Sequence, residues 1–215
     1  NVLRIKIEDF ITVFDGITGE WISKVISINR DNIVIQILQK KSELKTETDL
    51  WLIFAPIKLF RMNITIQKAT ELGVSKFIPC ITQNTNQQKI NIRNLKMNII
   101  EAVEQSERLT LPKLENTIKL NDLLDNFPND RVIIFCDENN KNLPMIHEVL
   151  PKYSKEYKKW AILIGPEGGF NEIEVNKILS ISSTIPVSLG KRILRSDTAT
   201  TAAIFSVQSI IEKEL

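Results

Sequence analysis

Two apolar runs that each end at a glycine constrain this chain more than any other feature. Residues 160–164 (WAILI) lead into the turn at 165–169 (GPEGG), and residues 185–189 (IPVSL) lead into Gly190 and the basic loop 191–195 (KRILR). A helix is predicted after each loop. Strands that alternate with helices are typical of α/β proteins with a mainly parallel sheet, in which ligands bind at the carboxyl ends of strands. This stretch is therefore the predicted active region.

The glycine-rich turn does not fit the phosphate-binding motifs. GPEGG differs from G-x-G-x-x-G, and the chain contains no GxxxxGK[ST], so neither a dinucleotide nor a nucleoside triphosphate is indicated. An acid, Glu167, stands where those motifs place a phosphate, which favours a ligand with a cationic end or with hydroxyl groups. Asn171 is a predicted N-cap, with Glu174 in the capping-box position. The turn alone is equally compatible with a plain joint between a strand and a helix.

The loop 191–195 combines three cations with two aliphatic residues. Because Ile193 and Leu194 would gain nothing from exposure to water, we expect them to line a pocket. Arg192 or Arg195 would then reach a charged partner. The helix that follows is rich in small residues, which allow close packing against a ligand or another backbone.

Composition argues against several classes of function. The chain has 215 residues, of which 43% are hydrophobic and 25% charged, as in an ordinary globular protein. No apolar run approaches the length of a membrane span, so no membrane association is predicted. The single histidine, His147, argues against a zinc site or a Ser-His-Asp triad, and no metal is expected. Cys80 and Cys136 fit no metal spacing and are interpreted as thiols in a reducing cytoplasm.

Two domains are predicted, 1–48 and 49–215. The first is predicted to be β, with strands at 10–14, 20–28 and 32–38 and a turn at Asp15-Gly16. Three short strands do not close a barrel and the chain starts at Asn1, so we expect a preceding segment to be missing. The polar segment 39–49 is the predicted linker. For the second domain the patterns predict strands at 51–55, 77–81, 132–136, 160–164 and 185–189, and helices at 61–72, 95–106, 120–126, 143–150 and from 197 onward.

Basic residues are concentrated in residues 56–100, although the net charge of the chain is only +2. This segment contains one acid, Glu71, against seven cations: Lys58, Arg61, Lys68, Lys76, Lys89, Arg93 and Lys96. A basic stripe on a near-neutral protein is typical of a surface that binds a phosphate backbone. A plain solvated face is the alternative.

Several motifs resemble one family. LIGPEGGF at 163–170, followed by LGKRILRSDTAT at 189–200, is similar to the corresponding motifs of the RsmE family of SPOUT methyltransferases. QKATELGV at 67–74 and EAVEQSERLTLP at 101–112 also stand where that family has motifs. The resemblance covers nearly the whole chain.

The resemblance implies a fold and an activity. The implied fold is an N-terminal PUA-like β-barrel, here without its first strands, and a C-terminal α/β domain with a deep trefoil knot. The implied activity is methylation of N3 of one uridine in 16S ribosomal RNA of the small subunit, with S-adenosylmethionine as the methyl donor. The family is cytoplasmic and usually forms homodimers with the site near the interface. A SPOUT enzyme acting on transfer RNA, and a non-catalytic RNA-binding or assembly factor, are the alternatives.

The implied reaction also suggests roles for individual residues. Arg195 is the first candidate, and Arg192 the second, to stabilise negative charge on the uracil oxygens. Because no histidine is placed to act as base, a carboxylate such as Glu167, or water, would remove the N3 proton. The implied cofactor-binding residues are Ile164, Gly165, Glu167, Gly169, Leu189, Gly190, Ile193, Leu194 and Ala199. The predicted RNA-binding residues are Arg4, Lys58, Arg61, Lys68, Arg108 and Arg192. The chain departs from the family pattern at Leu59-Phe60, which replaces a typical Gly-Asp, and at Glu107, which replaces a typical Gly.

Overall fold

The computed structural model describes residues 5–45, 47–87, 89–138, 140 and 142–212. The chain forms two compact units. One unit runs to residue 46 and includes Glu107–Leu111, and the other comprises Glu47–Ser106 and the residues from Pro112 onward. A domain boundary after residue 48 stays our proposal.

The small unit is built on a three-stranded antiparallel sheet in the order β1-β2-β3. Its strands are β1 (Phe10–Phe14), β2 (Glu20–Ile28) and β3 (Ile33–Ser42). The predicted turn between the first two strands is present. The Asp15 carboxylate accepts hydrogen bonds from the backbone N–H of Thr18 and of Ile17 and from the Thr18 hydroxyl, and these bonds lower the pKa of Asp15 to about 2.

β3 is longer than predicted. It continues to Ser42, so residues 39–42 of the predicted linker are strand. The reason is its partner: Glu20, at the start of β2, pairs in register with Ser42 and forms an ion pair with Lys41 at 2.9 Å. The polar composition of residues 39–42 was therefore the wrong signal for a linker, because an edge strand tolerates charged side chains.

The larger unit is an α/β fold around a seven-stranded sheet. The strand order is β10-β8-β9-β4-β5-β6, β7 also pairs with β5, and every pairing is parallel. Its elements are β4 (Asp49–Phe54), α1 (Leu59–Glu71), β5 (Lys76–Ile81), α2 (Ile92–Gln105), β6 (Lys113–Leu114), β7 (Ile118–Lys119), α3 (Leu120–Asp125), β8 (Val132–Cys136), α4 (Ile146–Tyr153), β9 (Lys159–Ile164), α5 (Glu172–Leu179), β10 (Thr184–Val187) and α6 (Ser196–Ile211). The predicted α/β class is confirmed. The trefoil knot stays a prediction.

The predicted helix at 143–150 is displaced. α4 begins at Ile146 and runs to Tyr153, so the first residues of the predicted loop at 151–159 are helical. The carboxylate of Glu148 accepts the backbone N–H of Met145 at 2.9 Å and thereby fixes the start of the helix. Pro144 cannot donate a backbone hydrogen bond and restricts the residue before it, which explains why the helix does not begin earlier.

Apolar residues cover both faces of the central strands. On one face Ile53, Ile133 and Leu163 pack with residues of α3 and α5, among them Leu120 and Ile178. The alternate strand residues are also buried, and α6 packs against β9, α1 and α4. Burial on both faces explains the near-continuous apolar runs of these strands, since helices shield both sides of a parallel sheet.

Candidate active site

A cavity of about 520 Å³ lies at the carboxyl ends of β8, β9 and β10. These strands are neighbours in the sheet, so the loops that follow them meet at one edge. The cavity wall contains residues from four places. They are Cys136, Asp137, Glu138, Asn140, Leu143 and Met145 at and after the end of β8, residues within 164–170 at and after the end of β9, residues 187–195 at and after the end of β10, and Ser196 and Ala199 on α6. The predicted active region therefore supplies most of one cavity, and a loop outside that region completes it.

Every residue predicted to bind the cofactor lines this cavity: Ile164, Gly165, Glu167, Gly169, Leu189, Gly190, Ile193, Leu194 and Ala199. Arg192 and Arg195 line it as well. Their roles stay predictions. The expectation that Ile193 contacts a pocket is met only in part, because its side chain borders the cavity but is 82% exposed.

The glycine-rich turn is fixed by close contacts. Gly169 donates its backbone N–H to the carbonyl of Pro166 at 2.9 Å. A Cβ atom at Gly165 would lie 2.7 Å from the ring of Phe170, and that ring packs edge-on against Phe135 with centroids 5.5 Å apart. Gly165 is thus required for packing against an aromatic side chain, whatever ligand the turn binds. The turn is therefore a tight joint between strand and helix and also one wall of the cavity.

The second loop is tied to the first turn. The hydroxyl of Ser196, at the start of α6, donates to the carbonyl of Gly165 at 3.3 Å. Gly190 has a φ of +124°, which L side chains rarely adopt, and a Cβ atom there would meet nothing within 4 Å. Its backbone N–H donates to the Ser188 hydroxyl at 3.1 Å. Glycine at 190 therefore sets the path of the loop and leaves open space beside it.

The cavity contains acids that the predictions did not include. Asp137 and Glu138 follow β8 and line the wall together with Glu167, while Lys191, Arg192 and Arg195 come from the loop after β10. None of these three cations forms an ion pair with any residue that the structure describes. Cys136 also lines the cavity, and burial raises the pKa of its thiol to about 12. The thiol is therefore uncharged at neutral pH.

The predicted capping box at the start of α5 is confirmed, and its Glu174 carboxylate binds a further backbone N–H. Asn171 Oδ1 accepts the backbone N–H of Glu174 at 2.8 Å, and Glu174 Oε2 accepts that of Asn171 at 3.0 Å. The other carboxylate oxygen of Glu174 accepts the backbone N–H of Gln83 at 2.8 Å. Glu174 is only 7% exposed, so this carboxylate joins the loop after β5 to the helix after the glycine-rich turn.

The basic residues of segment 56–100 have different surroundings. Lys76 lies over the ring of Trp51, 3.8 Å from its centroid, at the amino end of the sheet and thus opposite to the cavity. Lys68 is paired with Glu71 on α1 at 2.9 Å. The basic stripe as a whole stays a prediction. Lys58 and Arg61, at the start of α1, form no ion pair among the residues that the structure describes.

Two other predicted RNA-binding residues have different surroundings. Arg108 belongs to the small unit, is 9% exposed and donates to the Thr110 hydroxyl at 3.2 Å. Arg4 lies outside the described residues. Within the described ranges no group of three or more His, Cys, Asp or Glu side chains could hold a metal ion, and no helix is long and apolar enough to cross a membrane.

The fold and the cavity define a class: an α/β enzyme domain with its site at the carboxyl ends of parallel strands. Comparison with known proteins identifies the family. Residues 25–208 match the RNA methyltransferase domain family, and residues 1–38 match the RNA methyltransferase PUA domain family. The chain therefore belongs to the RNA methyltransferase family. The resemblance noted from its motifs is confirmed, and so is the N-terminal PUA domain.

Individual relatives are similar over most of their length. A protein of Rickettsia conorii named ribosomal RNA small subunit methyltransferase E is 34% identical over 208 residues, which are 97% of this chain and 84% of that protein. A crystal structure of ribosomal RNA small subunit methyltransferase E from Neisseria gonorrhoeae, bound to S-adenosyl methionine, superposes with a TM-score of 0.84 at 26% identity, covering 97% of this chain and 86% of that one. A probable rRNA-methyltransferase from Porphyromonas gingivalis has the same fold, with a TM-score of 0.85 at 24% identity over 100% of this chain and 90% of that one.

Proposed function

We propose that this protein transfers a methyl group from S-adenosylmethionine to N3 of a uridine in the 16S ribosomal RNA of the small subunit. One observation carries the proposal: the two glycine turns that resemble the family's motifs form the walls of one cavity at the carboxyl ends of the strands. The relatives named as small-subunit rRNA methyltransferases support the choice of RNA.

The residues of the cavity fit this cofactor. A volume of about 520 Å³ is within the usual range for small-molecule sites. Asp137, Glu138 and Glu167 suit the cationic methionine end or the ribose hydroxyls, whereas Leu189 and Leu194 offer apolar surface. When bound, S-adenosylmethionine supplies an electrophilic methyl group.

The chemical demand on the protein is a free lone pair on uracil N3. The N3 proton must be removed, and the negative charge that develops on the uracil oxygens must be stabilised. We assign the second role to Arg195, which lines the cavity at the N-terminus of α6 and pairs with none of the described acids. We assign removal of the N3 proton to Glu167, because Glu167 lines the same cavity and His147 does not.

RNA binding is assigned to three cations on two segments of the larger unit. Lys58 and Arg61 at the start of α1, and Arg192 in the loop after β10, are proposed to contact phosphates. Lys68 contributes less because Glu71 already neutralises it. A uridine in structured RNA must be turned out of its stack, at a cost of a few kcal/mol that such contacts offset.

We further propose a cytoplasmic homodimer. α1 and α6 pack together, and they carry large apolar side chains that face water: Phe60 is 76% exposed and Phe205 is 63% exposed. Exposed apolar side chains on adjacent helices are typical of a surface that another protein covers. A second copy of the chain is the proposed partner.

A transfer assay with three RNAs tests the proposed function. The purified protein is incubated with methyl-labelled S-adenosylmethionine and unmodified 16S rRNA, assembled small subunits or transfer RNA. Label in 16S rRNA or in small subunits is expected. Label in transfer RNA alone would assign the protein to the tRNA-modifying enzymes. Cofactor binding measured by calorimetry, without transfer to any RNA, would favour a non-catalytic RNA-binding factor.

A further inference from the structure

We infer that Asn84 is a positioning residue for the glycine-rich turn, and through that turn for the cofactor. This inference rests on the proposed function. Nδ2 of Asn84 donates to the carbonyl oxygens of Gly168 at 3.0 Å and of Gly169 at 3.1 Å. One side-chain amide thus binds two successive peptides of the turn that carries Glu167.

Asn84 acts from behind the cavity wall. Gly165, Pro166, Glu167 and Gly169 line the cavity, whereas Asn84 is not part of the lining. Because a trans peptide directs its N–H opposite to its carbonyl, holding the Gly168 carbonyl also orients the N–H of Gly169. That N–H donates to the Pro166 carbonyl at 2.9 Å and closes the turn. Asn84 therefore binds the carbonyl of the peptide between Gly168 and Gly169, and the N–H of that same peptide closes the turn.

The fit between the two segments is close. A Cβ atom at Gly168 would lie 3.1 Å from the Cβ of Asn84, nearer than most such contacts. The close approach explains a glycine at 168 without reference to any ligand. It also shows that Asn84 is packed against the turn and is not merely within reach of it.

The loop that carries Asn84 is itself fixed. Thr85 Oγ1 accepts the backbone N–H of Thr82 at 2.9 Å, and the two hydroxyls are bonded to each other at 2.9 Å. The carboxylate of Glu174 binds the N–H of Gln83, the residue before Asn84. These hydrogen bonds hold the loop at 82–85 in place after β5, and so they fix the position of the Asn84 amide.

Loss of the Asn84 side-chain amide is expected to weaken cofactor binding and to leave RNA binding unchanged. Without these bonds the turn samples other conformations, and only a fraction of the molecules has the conformation that binds the cofactor. The apparent Kd is then the intrinsic Kd divided by that fraction. If Asn84→Ala leaves about one tenth competent, Kd for S-adenosylmethionine rises about tenfold, which is about 1.4 kcal/mol. Asn84→Asp keeps the shape but turns a carboxylate toward two carbonyl oxygens, so its effect is larger.

The test compares full-length variants. Asn84→Ala and Asn84→Asp are measured against Gln87→Ala, a matched control on the same loop whose amide donates to the carbonyl of Lys89 at 2.6 Å instead. Calorimetry gives Kd for S-adenosylmethionine and for S-adenosylhomocysteine, and steady-state kinetics gives KM for each substrate. Hydrogen exchange of the peptide containing residues 165–171 reports the turn in the unliganded protein.

The expected result is a raised Kd and KM for the cofactor, an unchanged KM for RNA, and faster exchange of the turn in the Asn84 variants only. A merely structural role would lower kcat through loss of folded protein and leave the KM for the cofactor unchanged. An unaltered cofactor Kd in both variants, or an equal rise in Gln87→Ala, overturns the inference. If the wild type fails to bind cofactor while Asn84→Ala still speeds exchange, the proposed function fails and the support of the turn by Asn84 stands.

Discussion

Replacement of Glu174 by glutamine is expected to destabilise the α/β unit because its buried carboxylate serves two backbone donors. Glu174 accepts from Gln83 at 2.8 Å and from Asn171 at 3.0 Å. A glutamine amide has only one carbonyl oxygen, so one of these bonds is lost and an NH2 group faces an N–H. A hydrogen bond to a charged group contributes about 1.5–3 kcal/mol. The negative charge in the first turn of α5 adds about 0.3–1 kcal/mol.

The expected loss in free energy of unfolding is therefore about 2–4 kcal/mol, since these two terms add. For a chain of this size that corresponds to a decrease in Tm of roughly 5–15 °C. Differential scanning calorimetry and urea unfolding measure it. The matched control is Glu172→Gln, which removes the same charge from the same first turn at an exposed position. A Glu174→Gln variant within about 0.5 kcal/mol of this control would refute the reasoning, because surface substitutions reach that value.

Three further predictions concern catalysis, RNA binding and backbone strain. Arg195→Ala is expected to reduce methyl transfer at least about 100-fold while the calorimetric Kd for S-adenosylmethionine changes less than about threefold, and an active variant would remove Arg195 from the mechanism. Lys58→Ala with Arg61→Ala is expected to weaken RNA binding and to reduce the slope of log K against log salt by about 1–2, whereas Lys76→Ala, whose side chain lies over Trp51, leaves the slope unchanged. Glu107→Gly is expected to raise stability by about 0.5–1 kcal/mol in urea unfolding, because Glu107 has a φ of +55° and glycine adopts that conformation without strain; a less stable variant would show that the side chain has contacts that outweigh the strain.

Structure is predicted best from the sequence where interactions between residues close in the chain determine an element. β8 is found at the predicted residues because five consecutive apolar residues bounded by polar ones fit a buried strand. The N-cap at Asn171 and the turn at Asp15 were predictable for the same reason, since their hydrogen bonds span two or three residues. The predicted end of β3 at residue 38 was wrong because a segment distant in the sequence determines it. β3 extends to Ser42 because β2 pairs with it there.

The candidate site shows the same division. The two glycine turns were predictable because each follows an apolar strand directly. Asp137 and Glu138 also follow an apolar strand, but only the strand order, which inserts β8 between β10 and β9, brings them to the cavity. The contribution of Asn84 depends on hydrogen bonds to residues 84 and 85 positions away, and no local pattern marks it.

The charge pattern does not by itself place the cations in space. Seven cations between residues 56 and 100 indicated one basic stripe, since sequence proximity was taken as proximity in space. A parallel sheet places the start and the end of each strand at opposite edges, so Lys76 at the start of β5 is directed away from the cavity edge. A cation that begins a parallel strand should therefore be excluded when a basic face is assembled from sequence.

The measurement that tests the proposed activity most directly is the mapping of the modified base. Small subunits that lack the modification are incubated with S-adenosylmethionine and either the wild-type protein or Arg195→Ala, and the 16S rRNA is digested and analysed by mass spectrometry. The expected result is one added methyl group on N3 of a single uridine with the wild type and none with the variant. A methyl group on a different atom or base, or equal transfer by the Arg195 variant, would contradict the proposed chemistry.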